Sequence, residues 1–265
     1  MFITRLLSGI VLVIITATSL VFGGLYLFLL MLGISLIGMF ELYRVYNMEK
    51  SLLGITGYIS AITYYLCVYF EYDEHAYTVL LLTLIVLMAI YVFGYPKYEI
   101  SKVMVGFFAI AYVSAMLSFI YKIRVMDGGV LYVWLVYVCS WGNDTFAYIA
   151  GRLFGKHKMS PKLSPKKTIE GAIGGVLGSV LLGYIYALCV GKHLDVDNVA
   201  LVICIAAAGG AILSIVGDLA ASAIKRSNDI KDYGKLIPGH GGVLDRYDSV
   251  IFTAPAVYFL LTILG

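Results

Sequence analysis

The sequence predicts an all-α, polytopic transmembrane protein with about nine membrane helices and a cytoplasmic N-terminus. Three observations predict it. Of 265 residues, 61% are apolar and only 13% charged, with a mean hydropathy of +0.93; soluble domains carry about 25% charged residues. The apolar residues fall into runs of roughly 17–25, the length a helix needs to cross a bilayer. The basic residues collect in alternate connections between those runs.

Taken in order, the runs place helices near 6–22, 25–42, 52–70, 77–94, 103–121, 129–150, 169–190, 199–222 and 249–264. The first, after Arg5, has the length of a signal peptide's core, but no small-x-small cleavage pattern follows it. Apolar sequence resumes directly after Gly23-Gly24, which predicts a transmembrane hairpin. With the N-terminus in the cytoplasm, 16 of the 19 Lys and Arg residues lie on the cytoplasmic side, leaving Lys122, Arg124 and Lys192 outside. That asymmetry is the positive-inside pattern. The Glu71–His75 connection, with three acids and no Lys or Arg, fits the outer face. No polar block is long enough for a second domain. The chain reads as one integral unit, with N-terminal membrane helices over 1–125 and C-terminal helices carrying the cytoplasmic loops over 126–265.

The four cysteines, Cys67, Cys139, Cys189 and Cys204, all fall in apolar runs without C-x-x-C spacing. They read as small buried hydrophobes, not as a disulfide or zinc framework. Gly171, Gly175, Ser179 and Gly183 recur every four residues, and Gly210, Ser214, Gly217 and Ala221 form a similar stripe. Small residues at that spacing let helices approach closely in lipid.

Chemistry concentrates in three places. Asp144 and Asp218 sit near the cytoplasmic ends of apolar helices, where a bare carboxylate costs about 2.5–3.5 kcal/mol. Such acids face a cavity or a partner. Asp218, Ser222, Lys225 and Arg226 are spaced i, i+4, i+7 and i+8, one helix face if the helix runs that far. Second, the stretch Ser222–Ser249 holds five basic and four acidic residues, with Gly239-His240-Gly241-Gly242 and Asp245-Arg246-Tyr247-Asp248 inside it. Cationic groups bind phosphate oxygens, glycine lets backbone N–H groups approach them, and spaced carboxylates hold Mg²⁺. Asp248-Ser249 also suits an N-cap of the last helix, whereas Asp245 lies too early for one and is favoured as a metal carboxylate beside Asp218. Third, the connection from Gly151 to Gly171 carries six cations, which also suit anionic lipid headgroups. Its Gly151-x-x-x-Gly155-Lys156-His157 spacing is not a phosphate-binding P-loop, since one residue and the Ser/Thr are missing. In Ser164-Pro165-Lys166-Lys167-Thr168, Thr168 can cap the next helix with Glu170 in its first turn. That sets Lys166 and Lys167 beside a positive helix end. A polyanion, held with a divalent metal, is the predicted ligand.

These residues resemble the signature of the phosphatidate cytidylyltransferases, or CDP-diacylglycerol synthases. The matching positions are Ser222-x-x-Lys225-Arg226, Lys231-Asp232-x-Gly234, Pro238-x-His240-Gly241-Gly242 and Asp245-Arg246-x-Asp248. Upstream, Asn143-Asp144 with Tyr148 and Gly151, and Ser164-Pro165-Lys166-Lys167-Thr168-x-Glu170-Gly171, are similar too. Tyr247 departs from the pattern, where a smaller aliphatic residue or Phe is expected. The similarity covers roughly the C-terminal half; the first five helices read as generic. It implies transfer of a cytidylyl group from CTP to phosphatidate, giving CDP-diacylglycerol and pyrophosphate. It also implies a homodimer in the bacterial inner membrane among membrane lipids, with the site facing the cytoplasm and no nucleic-acid partner. By resemblance, Asp218 and Asp245 bind Mg²⁺, with a second cation such as K⁺ beside it. Lys225, Arg226, Lys231 and Arg246 hold phosphates and Ser222 lies near them. Asn143, Asp144, Ser164, Lys166, Lys167, Thr168, His240, Gly241, Gly242 and Asp248 complete the substrate site. Lys166 and Lys167 meet either the headgroup or the nucleotide. A CTP-dependent lipid kinase is the competing enzyme. A transporter fits less well, because no internal repeat is evident and the charge lies at one surface.

Overall fold

The computed structural model describes residues 2–239 and 241–265, and its described residues are helical almost throughout. Among them, seven helices are long and apolar enough to cross a membrane: Gly24–Val45, Leu52–Tyr69, Glu74–Phe93, Ile100–Val125, Ile169–His193, Val199–Ser227 and Leu244–Leu264. The other two expected spans are also helical. Phe2–Phe22 contributes a shorter apolar stretch, Leu6–Phe22. The helix over 129–154 turns polar in its second half, Asn143–Phe154, which carries Asp144 and Arg152. The all-α architecture therefore holds; among the described residues seven helices meet the length and apolarity of a span, which does not confirm the count of nine. Large apolar side chains stay on the surface, with Phe93 90%, Ile263 77% and Phe22 76% exposed. A water-facing surface would not tolerate so much of this, but lipid does.

The chain divides into two compact units. The first runs to Tyr121 and takes in Asp232–Arg246; the second comprises Lys122–Lys231 and Tyr247–Gly265. The segment 232–246 clusters with the N-terminal helices.

In the first unit, aromatic residues pack the helices together. Phe28 lies 6.2 Å from Tyr65, 4.6 Å from Tyr69 and 6.2 Å from Tyr121, ring centroid to centroid. Two buried tyrosine hydroxyls find partners across helices, which offsets the cost of burying them: Tyr43 donates to Gly106 O at 2.8 Å, and Tyr65 pairs with Ser35 at 2.7 Å. Ser51 caps the helix Leu52–Tyr69, its hydroxyl accepting from Gly54 N at 3.2 Å.

In the second unit, both small-residue stripes do what their spacing predicts. Gly171, Gly175, Ser179 and Gly183 are all buried. A Cβ on Gly171 would lie 2.9 Å from Ala147 O, and one on Gly183 2.9 Å from Ala207 Cβ. Gly210 faces Cys139 and Val257, and Gly217 faces Asp248 O and Phe252, just as closely. The helix over 129–154 opens into a π turn at Val138–Gly142. Such turns insert a residue and re-aim the side chains that follow; here those are Asn143 and Asp144. Between this helix and Ile169–Val190 the chain forms a short antiparallel hairpin, β1 (Lys158–Ser160) with β2 (Ser164–Thr168). The helix Val199–Ser227 has 29 residues, about 43 Å at 1.5 Å per residue. It runs past the expected end at 222, and the face bearing Asp218, Ser222, Lys225 and Arg226 is helical throughout.

Candidate active site

The second unit gathers most of the expected residues. Strand β2 delivers Lys166 and Lys167, and the next helix fixes where the strand stops: Thr168 Oγ1 accepts from Gly171 N at 3.1 Å. Glu170 does not close a box on Thr168. It reaches back to the connection, accepting from the backbone N–H of Lys156 at 3.1 Å and of His157 at 3.2 Å, with His157 Nδ1 at 2.6 Å. The hairpin is thus pinned at its base from both ends.

Above this helix start lies a cavity of about 310 Å³, lined by Asn143, Asp144, Arg152, Lys166, Lys167 and Thr168 among others. Five of these were expected in the site. Arg152, whose Nη1 donates to Tyr148 at 3.1 Å, was not. Helical spacing was the available signal, since 144, 148 and 152 share one face. Asn143 is 1% exposed, and its Oδ1 has no hydrogen-bond partner among the described residues. A buried amide oxygen in that state is the kind of group a ligand satisfies.

Lys167 connects this cavity to the helix Val199–Ser227. Its ammonium forms an ion pair with Asp218, and the carboxylates of Asp144 and Asp248 act on it as well. Burial pushes the Lys167 ammonium below the ordinary lysine range; Asp144 and then Asp248 pull it back. One cation therefore serves three carboxylates contributed by three helices. Further along the long helix, Lys225 and Arg226 occupy its last turn, where cations complement the negative end of the helix dipole. They do not line the cavity, and neither do Ser164, Ser222 or Lys231.

In the first unit, the segment 232–246 is built around Asp245, which is 5% exposed. Its Oδ2 accepts from Tyr233 N at 2.8 Å and from Gly242 N at 3.0 Å. Ile237 N donates to Gly241 O at 2.9 Å, closing the turn. Gly241 has φ +90°, and a Cβ there would lie 3.0 Å from Asp245 Oδ2; a left-handed backbone and a crowded carboxylate both require glycine. Arg246 is exposed. His240 lies outside the described residues.

The cap expected at Asp248-Ser249 is corrected. The last helix starts at Leu244, so both residues lie inside it, and Asp248 Oδ1 accepts from its neighbour Ser249 N at 2.8 Å. The residue that serves the start of this helix is Glu41, from the helix Gly24–Val45: its Oε1 accepts from Val243 N at 3.0 Å and its Oε2 from Leu244 N at 2.8 Å. Sequence reasoning missed it. The only signal was a lone acid in an apolar run.

Among the described residues, no three His, Cys, Asp or Glu side chains group closely enough to hold a metal alone. The donors expected to bind one, Asp218 and Asp245, are hard carboxylates. Mg²⁺ is commonly bound by one or two carboxylates together with substrate phosphates and waters.

A model of the Cytidylyltransferase family matches residues 3–264. The chain belongs to that family. The match takes in the N-terminal helices that read as generic. A phosphatidate cytidylyltransferase of Staphylococcus epidermidis is 34% identical over 262 residues, covering 97% of this chain and 98% of that protein. The Bacillus subtilis phosphatidate cytidylyltransferase is 30% identical over 268 residues, 98% of this chain and 97% of the relative. That of Thermotoga maritima is 34% identical over 168 residues, 63% of this chain and 62% of the relative.

Proposed function

We propose that this protein transfers the cytidylyl group of CTP to phosphatidate, forming CDP-diacylglycerol and pyrophosphate in phospholipid biosynthesis. The observation that carries the reading is Lys167, held by Asp218, Asp144 and Asp248 on the wall of a cavity that also contains Arg152 and Lys166. Such an arrangement suits a polyanion whose charge must be neutralised. The whole-length similarity to phosphatidate cytidylyltransferases supports the same substrates.

The reaction needs no Ser/His/Asp or Cys/His machinery. A phosphate monoester has a second pKa near 6, so the phosphatidate phosphate is already an anionic nucleophile at neutral pH. Its oxygen attacks the α-phosphorus of CTP in line. The bond from that phosphorus to the oxygen bridging to the β-phosphorus breaks, and pyrophosphate leaves with the electron pair. Catalysis then rests on positioning and charge neutralisation. Lys225, Arg226, Lys231 and Arg246 hold phosphate oxygens, with Ser222 near them. Asn143, Asp144, Ser164, Lys166, Lys167, Thr168, His240, Gly241, Gly242 and Asp248 shape the substrate site. Asp218 and Asp245 are the residues that would hold Mg²⁺, with a second cation such as K⁺ beside it. The bound ion supplies charge neutralisation to the triphosphate and the leaving group. The site faces the cytoplasm of a bacterial inner membrane, and the protein works as a homodimer.

Purified protein given labelled CTP and phosphatidate should form a CDP-lipid and pyrophosphate in equal amounts, only with Mg²⁺. ATP in place of CTP, or diacylglycerol in place of phosphatidate, should give nothing. Release of CDP with a phosphorylated lipid would make the protein a kinase and overturn the proposal.

A further inference from the structure

Glu41 is 3% exposed on an apolar helix, and a carboxylate there needs dedicated partners. It has two, on successive amides: Val243 N and Leu244 N, one to each oxygen. These N–H groups open the last helix, where intrahelical acceptors are lacking and negative charge is favoured. Two glycines press on the same carboxylate. A Cβ on Gly242 would lie 2.5 Å from both Glu41 oxygens, and one on Gly234 would overlap Oε1. One turn along, Arg44 Nη2 donates to Tyr233 O at 2.8 Å. The N–H of that same residue donates to Asp245 Oδ2. Near the turn, Ser8 Oγ donates to Pro238 O at 3.1 Å. The segment 232–246 is therefore tied at 233, 238 and 243–244 to the two N-terminal helices.

We propose that Glu41 and Arg44 are positioning residues for the reaction. Glu41 fixes the entry of the last helix, Arg44 fixes the Tyr233 peptide, and together they set the direction of Asp245 and Arg246. This extends the proposed function, since it rests on Asp245 and Arg246 acting on the nucleotide. It also assigns Gly234 and Gly242 a purpose: they leave room for the carboxylate of Glu41.

The test uses the full chain in lipid nanodiscs, with Glu41→Gln and Arg44→Gln. Glutamine at 41 turns an NH₂ group towards one of the two amides it must accept from. Misplacement on this scale costs about 10²-fold in rate, so kcat should fall about that much while KM for CTP stays within about threefold. Hydrogen exchange should accelerate in peptides covering 232–246 and remain as in the wild type elsewhere. Arg44→Gln should speed exchange around Tyr233 and leave 243–244 protected, which keeps the test open if Glu41→Gln does not fold. Wild-type kcat in both variants, or faster exchange spread over all helices, would overturn the proposal. Asp245→Asn, measured alongside, separates the two readings. If it stays active, the role given to Asp245 fails, while the exchange pattern still decides whether Glu41 and Arg44 hold the segment.

Discussion

Replacing Lys167 with Met removes the ammonium that Asp218 pairs with and that Asp144 and Asp248 face, while keeping a side chain of similar length. The two side chains of the ion pair are 28% and 24% exposed, so water screens them only in part. At about 4 Å and an effective dielectric near 20, unit charges attract by about 4 kcal/mol. Desolvation of both groups offsets much of that. A net loss of roughly 1–2 kcal/mol of stability is the expectation, since measured exposed pairs fall below this range and fully buried ones above it. Activity should fall further, by about 10²–10³-fold, the usual loss when one preorganised charge in a site is removed. Two assays separate the effects: CDP-lipid formation from labelled CTP, and thermal unfolding of Lys167→Met, Asp218→Asn and the double variant. The double variant should be more stable than the sum of the single losses predicts, by about 1 kcal/mol or more. Losses that add within about 0.5 kcal/mol would show the two residues to be energetically independent. That result, or Lys167→Met activity within twofold of wild type, would refute the reasoning.

Asp218→Asn and Asp245→Asn should each abolish turnover while leaving protein that is folded and membrane-inserted, as read from product formation and circular dichroism. Thr168→Ala removes the bond to Gly171 N and should cost about 1 kcal/mol of stability in a thermal melt. Gly175→Val places a branched side chain against Asn143 and Ala147; overpacking of this kind costs about 1–3 kcal/mol, and activity should fall with it because Asn143 lines the cavity. Chelation of divalent ions should stop CDP-lipid formation, and Mg²⁺ should restore it.

What could be read from the sequence follows the range of each interaction. The Thr168 cap, the small-residue stripes and the face shared by Asp218, Ser222, Lys225 and Arg226 are all local, set by spacings of three to eight residues, and each is present. The Lys167 ion pair joins residues far apart in the chain, and no spacing rule reaches it. The start of the last helix was misjudged for a physical reason. Asp248-Ser249 has the composition of an N-cap, but the N–H groups that need an acceptor come five residues earlier and find it in Glu41, about 200 positions upstream. Glu41 itself is a single acid in an apolar run, and no local spacing ties it to the last helix. The π turn before Asn143 carries no composition signal, although it determines which way Asn143 and Asp144 leave the helix. Family membership came through because many separated positions match at once, not because any contact could be seen.

The claim that the lipid phosphate supplies the nucleophile, and the protein only neutralises and aligns charge, has a direct test. Phosphatidate labelled with ¹⁸O in its phosphate is incubated with unlabelled CTP and Mg²⁺, and both products are analysed by mass spectrometry. The account predicts that CDP-diacylglycerol retains the whole label, including the oxygen bridging its two phosphorus atoms, and that pyrophosphate carries none. Label in the pyrophosphate, or an unlabelled bridging oxygen, would contradict it.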